Sequence, residues 1–207
     1  LLTAINQGEW IISAVNINGA ACNALMTSLA NENRPWQISN GFERATLNPG
    51  DSFDGHMQKH LSSKRRRELE RNRRRLEKIG EIEHESHYSG DGLTRAVEAF
   101  LDIEASGWKG QRGTALNCRP ETRQFALDAF TGGASDSICR ADALTLDGTP
   151  IAVSLTVLAG GTGFTVKCAY DEAYRTYSPG LLLEVDMIRS FLTERWADRL
   201  DAATTGA

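Results

Sequence analysis

Near Ala143 the apolar period of the chain changes from 3.6 to 2, and this change constrains the fold more than any other feature of the sequence. Ala143-Leu144-Thr145-Leu146 runs into Asp147-Gly148, a dipeptide that tolerates the positive φ angles of a tight hairpin. Ile151, Val153, Leu155 and Val157 then alternate with Ala152, Ser154 and Thr156. A Gly160-Gly161-Thr162-Gly163 turn follows, and Phe164, Val166, Cys168 and Tyr170 alternate with Thr165, Lys167 and Ala169. Three successive antiparallel strands are predicted. The glycine run joins strands and leads into no helix, so it is a hairpin turn and not a nucleotide loop. Helical period precedes and follows: Leu93, Val97, Phe100 and Leu101 form one stripe over about 94–106, and Leu181, Val185, Ile188, Leu192 and Trp196 form another behind Ser178-Pro179. With a strand expected at Arg199–Ala202, the pattern defines a mixed α/β (α+β) architecture, a mainly antiparallel sheet flanked by helices.

The rest of the chain is patterned more weakly. Trp10 to Val15 and Trp36-Gln37-Ile38 have strand character, Ala20 to Ala30 reads as a short helix, and Ser52 is placed to cap a helix over 53–61. Ser62 or Ser63 would cap a long basic helix ending near Gly80, and Pro120 would open another that ends near Gly132-Gly133. Of the 207 residues, 41% are apolar and 24% charged, which excludes wholesale disorder and a collagen-like repeat. No apolar run approaches the ~20 residues that span a bilayer. No charged start with an apolar run and cleavage site is visible, and widely spaced cysteines without a C-x-x-C pair read as the incidental thiols of a cytoplasmic protein. Four cysteines, Cys22, Cys118, Cys139 and Cys168, form no C-x-x-C pair, so neither a zinc nor a thioredoxin-like signature exists. His56/His60 and His84/His87 lack a third ligand at metal-site spacing, and no metal is expected.

Charge is distributed unevenly. Residues 64–78 hold nine basic side chains against three acids, a local +6 in a chain of −4, so the remainder carries −10. Arg67, Arg71, Arg74 and Lys78 share one helical face at three- and four-residue spacing. That face suits phosphates, an anionic acceptor or RNA, or is simply a solvated face laced by Glu68, Glu70 and Glu77.

The segment from Phe164 to Leu192 is the strongest candidate for chemistry. With Ser178 as N-cap and Pro179 first in the helix, the N–H groups of Gly180, Leu181 and Leu182 would lack helical partners, and a helix N-terminus is an anion site. Arg175, three residues before the cap, would clamp a second phosphate oxygen. Glu104 falls in the middle of the Leu93–Leu101 stripe. Such a carboxylate is desolvated toward the pKa of a general base, or it is a buried ion pair, with Lys109 or an arginine of the basic helix as partner. Trp108 and Lys109 follow the Gly107 helix stop and would line a substrate pocket, unless Trp108 plugs the core. Tyr170 ends its strand beside the phosphate loop, as a general acid or as a core tyrosine.

Arg175-x-x-Ser178-x-Gly180, after a meander and before a helix, resembles the pyrophosphate loop of the GNAT acyltransferases, Arg/Gln-x-x-Gly-x-Gly/Ala. Three further blocks, Leu61 to Arg67, Glu104 to Gly110 and Lys167 to Asp171, make the chain similar to the bacterial CelD/BcsL-type acetyltransferases, a GNAT branch related to the FemAB peptidyltransferases. The resemblance covers roughly Phe53 to Ala202. It implies a GNAT-like fold and acyl transfer from acetyl-CoA or another acyl-CoA as co-substrate, often in exopolysaccharide or cellulose biosynthesis. The implied roles are catalysis by Glu104 and Tyr170, donor binding by Arg175, Ser178, Gly180 and Leu181, and binding of a small-molecule, saccharide or peptide acceptor by Trp108, Lys109 and Lys167. Ser178 replaces the first glycine of the loop pattern, and Pro179 removes one N–H donor. The FemAB relation implies an alternative aminoacyl-tRNA donor docked on helix 64–78; a non-catalytic GNAT-like binding module is the third possibility. The chain is expected to divide into residues 1–52, the end of a preceding GNAT-like half or a connecting region, and 53–207, a GNAT-like domain that is C-terminally incomplete.

Overall fold

The computed structural model describes residues 2–5, 9–12, 15–50, 52–132 and 138–203. It contains two compact units, Leu1–Phe42 and Glu43–Ala207. The first holds a hairpin of β1 (Leu2–Ile5) and β2 (Glu9–Ile12) and the helix α1 (Ala20–Asn31). Trp36-Gln37-Ile38 forms no strand: Trp36 and Ile38 are exposed, and the alternation there has no second face to bury against. Ser13, Ala14 and Gly133 of the predicted elements lie outside the described residues.

In the second unit, β3 (Thr46–Leu47) is followed by α2 (Phe53–His60) and α3 (Ser63–Leu76), then β4 (Ile82–His87), α4 (Gly90–Ser106), the short α5 (Trp108–Gln111) and α6 (Pro120–Thr131). The meander is β5 (Cys139–Leu146), β6 (Thr149–Ala159) and β7 (Thr162–Tyr170); α7 (Pro179–Glu194) and β8 (Arg199–Asp201) complete the unit. Ser52 and Ser62 cap α2 and α3 as expected, their hydroxyls accepting from the N–H groups of Gly55 and Arg65. The six-stranded sheet has the order β3-β8-β7-β6-β5-β4 and is antiparallel except for the β7–β8 pair. The three strands of the meander are antiparallel, as predicted, and the sheet has two apolar faces. Ala141, Ala143, Val153, Leu155 and Ala169 meet Val97, Phe100 and Leu101 of α4. On the other face Leu144 and Ala152 meet Leu182, Leu183 and Met187 of α7 and Leu76 of α3. No helix among the described residues is long and apolar enough to cross a membrane.

One buried polar cluster interrupts the apolar layers. Arg140 and Asp142 of β5 are fully buried, and the Arg140 guanidinium donates to both carboxylate oxygens of Asp142 at 2.7 Å. It also donates to the hydroxyls of Ser86 at 2.7 Å and Ser190 at 2.8 Å, and to that of Tyr88, and it lies 4.2 Å from the Trp196 ring centroid. His84 Nε2 sits 2.9 Å from Asp142 Oδ1. The network thus joins β4, β5 and α7. Such burial is tolerated because nearly every polar atom of the pair is used.

Candidate active site

Where β8 leaves β7, the sheet opens. The parallel pairing covers only Thr162–Phe164 of β7, so the edge from Thr165 to Tyr170 has no strand neighbour on that side among the described residues. Just beyond that point the β6–β7 register slips by one: Leu155 faces Lys167 and Thr156 faces Thr165, which leaves Val166 as a bulge. A bulged residue's backbone groups fall out of the ladder and are re-aimed. Sequence alternation could not reveal this, since the pattern runs on unbroken through Val166.

The C-terminal end of β7 meets the start of α7. A β-carbon on Gly180 would stand 3.5 Å from Tyr170 Cδ1 and 3.9 Å from Cys168 Sγ, so the helix begins directly against Cys168 and Tyr170. Tyr170 is 44% exposed and belongs to no apolar cluster, which settles its position outside the core. Although part of Cys168 remains accessible, desolvation and then the Glu184 carboxylate push its thiol up to about 11, with Lys109 acting the other way. These surroundings favour the neutral thiol over the thiolate.

The phosphate loop is narrower than the sequence predicts. Ser178 adopts the left-handed conformation, φ 56° and ψ 53°, and its side chain makes no capping hydrogen bond. Its carbonyl instead accepts from the N–H groups of Leu181 at 3.0 Å and Leu182 at 3.1 Å. The expected cradle of three open N–H groups is corrected accordingly: Pro179 has none, and those of Leu181 and Leu182 are occupied within the helix, which leaves Gly180. Arg175 lies in a 3₁₀ helix over Glu172–Tyr177; its side chain is exposed and has no ion-pair partner among the described residues. It is free to take an anion.

Glu104 is buried in the middle of α4's apolar face, as its place in the stripe predicts. Lys109 Nζ donates to its Oε1 at 2.7 Å and the Leu116 N–H to its Oε2 at 2.9 Å. Of the two readings the sequence leaves open, the ion pair is thus present, and the carboxylate clamps the segment that follows α4. Trp108 is 52% exposed and does not plug the core; Arg112 and Lys109 flank its ring. The Trp108 N–H donates to Glu172 Oε1 at 3.0 Å, tying the α4–α5 junction to the helix that carries Arg175. Glu172 was not legible as a site residue; its only signal is the Asp171-Glu172 pair, of which Asp171 caps the 3₁₀ helix. Lys167, by alternation, lies on the α4 face of β7 with Ala169, opposite Cys168 and Tyr170. Among the described residues no three metal-ligating side chains converge.

A mixed sheet that opens between its two parallel strands, with the 3₁₀ helix that bears Arg175 and the start of α7 at the open end, is a GNAT-like fold. Residues 63–204 match the family model described as the acetyltransferase (GNAT) domain, and the chain belongs to that family. Among solved structures it is similar to FemX, at 11% identity and a TM-score of 0.53, over 79% of this chain and 52% of FemX. It is also similar to L-PGS from Bacillus licheniformis, at 14% identity and a TM-score of 0.43, over 77% of this chain and 44% of that one. The likeness to FemX is one of fold, and this chain spans about half of FemX's length. No curated protein matches the chain.

Proposed function

We propose that the chain transfers an acyl group from acyl-CoA to an amine or hydroxyl of a cell-envelope or polysaccharide-related acceptor, in the manner of the CelD/BcsL-type enzymes it resembles. The observation that carries this reading is the meeting of the free β7 edge, the Val166 bulge and the start of α7 at one end of the strand. Arg175 and the Gly180 N–H hold the donor pyrophosphate, and the donor's thioester arm lies along Thr165–Tyr170. The thioester carbonyl oxygen is placed at the N–H of the bulge, an oxyanion position.

The acceptor enters past Trp108 and Lys109. Its nitrogen or oxygen lone pair adds to the thioester carbon as Lys109 moves off Glu104 Oε1, and Glu104 takes the acceptor's proton. The C–S bond breaks, and the departing thiolate takes a proton from the Tyr170 hydroxyl, which solvent restores. Positioning of the two substrates contributes much of the acceleration. Lys167 reaches toward the acceptor from the α4 face.

Titration calorimetry of the full chain with acetyl-CoA tests the donor site. Saturable binding is expected, and Arg175→Ala should weaken it by about 1.5–3 kcal/mol, the worth of a hydrogen bond to a charged group. The melting temperature should stay unchanged, because Arg175 supports no other group. Absence of binding up to millimolar acetyl-CoA, or a fall in stability with unchanged affinity, overturns the donor assignment.

A further inference from the structure

The four-residue helix α5 begins without a cap of its own. Its N-cap is Gly107, which has no side chain, and the Trp108 N–H, first in the helix, has no helical acceptor. That N–H is satisfied from a distant element: it donates to Glu172 Oε1 at 3.0 Å, 64 residues away along the chain. Gly107 leaves room for the carboxylate, since a β-carbon there would stand 3.0 Å from the same oxygen. None of the residues of α5 is buried, so apolar packing does little to hold its start to the fold. The Lys109 end is fixed separately. Its carbonyl accepts from the N–H groups of Thr114 at 2.8 Å and Ala115 at 3.2 Å, and its Nζ reaches Glu104.

The element that supplies Glu172 is anchored and short. Glu172 opens the 3₁₀ helix that ends at Tyr177. The Asp171 side chain accepts from the Ala173 N–H at 2.9 Å, and the Asp171 N–H donates to the Ile151 carbonyl of β6 at 2.8 Å. Tyr174 and Tyr177 pack against the apolar layer that holds Leu182 and Met187. Residues three apart in a 3₁₀ helix eclipse, so Glu172 and Arg175 lie on one side of it, roughly 6 Å apart along the axis. Arg175 is exposed and has no ion pair among the described residues. One turn of helix therefore carries both the carboxylate that holds Trp108 and the guanidinium open to an anion. A contiguous path runs from Arg175 through Glu172 and the Trp108 N–H to Lys109.

We infer that Glu172 is a positioning residue that couples the two parts of the site. An anion on Arg175 tightens the bond from the Trp108 N–H to Glu172, which fixes Trp108 and Lys109 where an acceptor meets them. The coupling rests on the donor and acceptor assignments proposed above. It is reciprocal: the factor by which the ligand closes the start of α5 is the factor by which loss of the bond weakens the ligand.

Hydrogen exchange of the full chain read by mass spectrometry, with acetyl-CoA calorimetry beside it, tests this. Saturating acetyl-CoA should slow exchange over residues 107–112 by about five- to tenfold, within the usual range of coupling between two sites. Glu172→Ala should keep its circular dichroism, exchange rapidly over 107–112 with or without acetyl-CoA, and bind acetyl-CoA more weakly by that same factor. Glu172→Gln, whose amide oxygen still accepts from the Trp108 N–H, should restore most of both effects. Gly107→Ala crowds the carboxylate without changing any charge and should shift both readouts in the direction of Glu172→Ala; it carries the test if Glu172→Ala loses its fold. Acetyl-CoA binding without slower exchange over 107–112, or equal slowing in Glu172→Ala, overturns the coupling and leaves the donor assignment standing. Tighter binding by Glu172→Ala overturns it too, because Glu172 would then be only a charge that repels the donor. No acetyl-CoA binding by the unsubstituted chain overturns the donor assignment and the coupling with it.

Discussion

Ser178 shows how a single residue can satisfy a motif's geometry while departing from its sequence. The loop pattern has glycine here, and the backbone keeps the left-handed conformation glycine favours, φ 56°, with a side chain that pays nothing back through capping. For an L-residue that conformation costs roughly 1–2 kcal/mol. Ser178→Gly should therefore raise stability by about 1 kcal/mol, read as a higher melting temperature, and Ser178→Ala should leave it nearly unchanged. A loss of stability in Ser178→Ala would restore the helix-cap role that the dipeptide Ser178-Pro179 suggests. Glu104 is the opposite case, since its burial was legible from helical spacing, and of the two partners the sequence offered, Lys109 and an arginine of the basic helix, Lys109 is the one present. Lys109→Met leaves one oxygen of a 4%-exposed carboxylate without its donor. Breaking a fully buried pair costs about 3–5 kcal/mol, and because Lys109 is itself half-buried, a loss of about 2 kcal/mol is expected by denaturant titration.

At the scale of elements, the period change near Ala143 made the meander legible, because alternation over a sheet with two covered faces must place one set of side chains against each layer. Three things escaped it. Thr46–Leu47 is too short to show a period, the Val166 bulge leaves the apolar alternation intact, and the Arg140 network is written as polar residues inside a strand that buries all eight of its residues. That network joins β4, β5 and α7, and it titrates. Burial raises the Asp142 carboxyl, but the hydrogen bonds from His84, Arg140 and Ser86, with the Arg140 charge, outweigh it and hold it below its ordinary value. A depressed carboxylate stabilises the fold above its unfolded pKa, and that stability is lost as pH falls through the folded value. Stability should thus decline as pH drops below about 4, the ordinary aspartate range. Asp142→Asn should be less stable than the parent at pH 7, with the gap narrowing in acid. A gap independent of pH would assign the loss to packing alone.

For the whole molecule, the GNAT-like fold was legible from its blocks of sequence, whereas the strand that ties down the N-terminal edge of the GNAT-like unit is two residues long and shows no period. Sequence reading puts the limit at Phe53. The compact unit begins at Glu43, and residues 44–47 are built into it. Thr46 and Leu47 pair with Asp201 and Leu200, the Ala202 N–H donates to the Ala45 carbonyl at 3.0 Å, and Arg44 Nε lies 3.2 Å from Asp201 Oδ1. Asp201 is 5% exposed, so removing Arg44 leaves a buried carboxylate with one fewer donor. A chain starting at Glu43 should melt at the temperature of the intact unit in the full chain and bind acetyl-CoA equally well. One starting at Phe53 loses the strand and the ion pair, about 2–4 kcal/mol together, or roughly 4–16 °C at 2–4 °C per kcal/mol for a unit of this size. β8 borders the opening beside β7, so the shorter chain should also bind acetyl-CoA more weakly. Equal melting temperatures for the two chains would show that β3 adds nothing to the edge of the sheet and that the unit begins at Phe53.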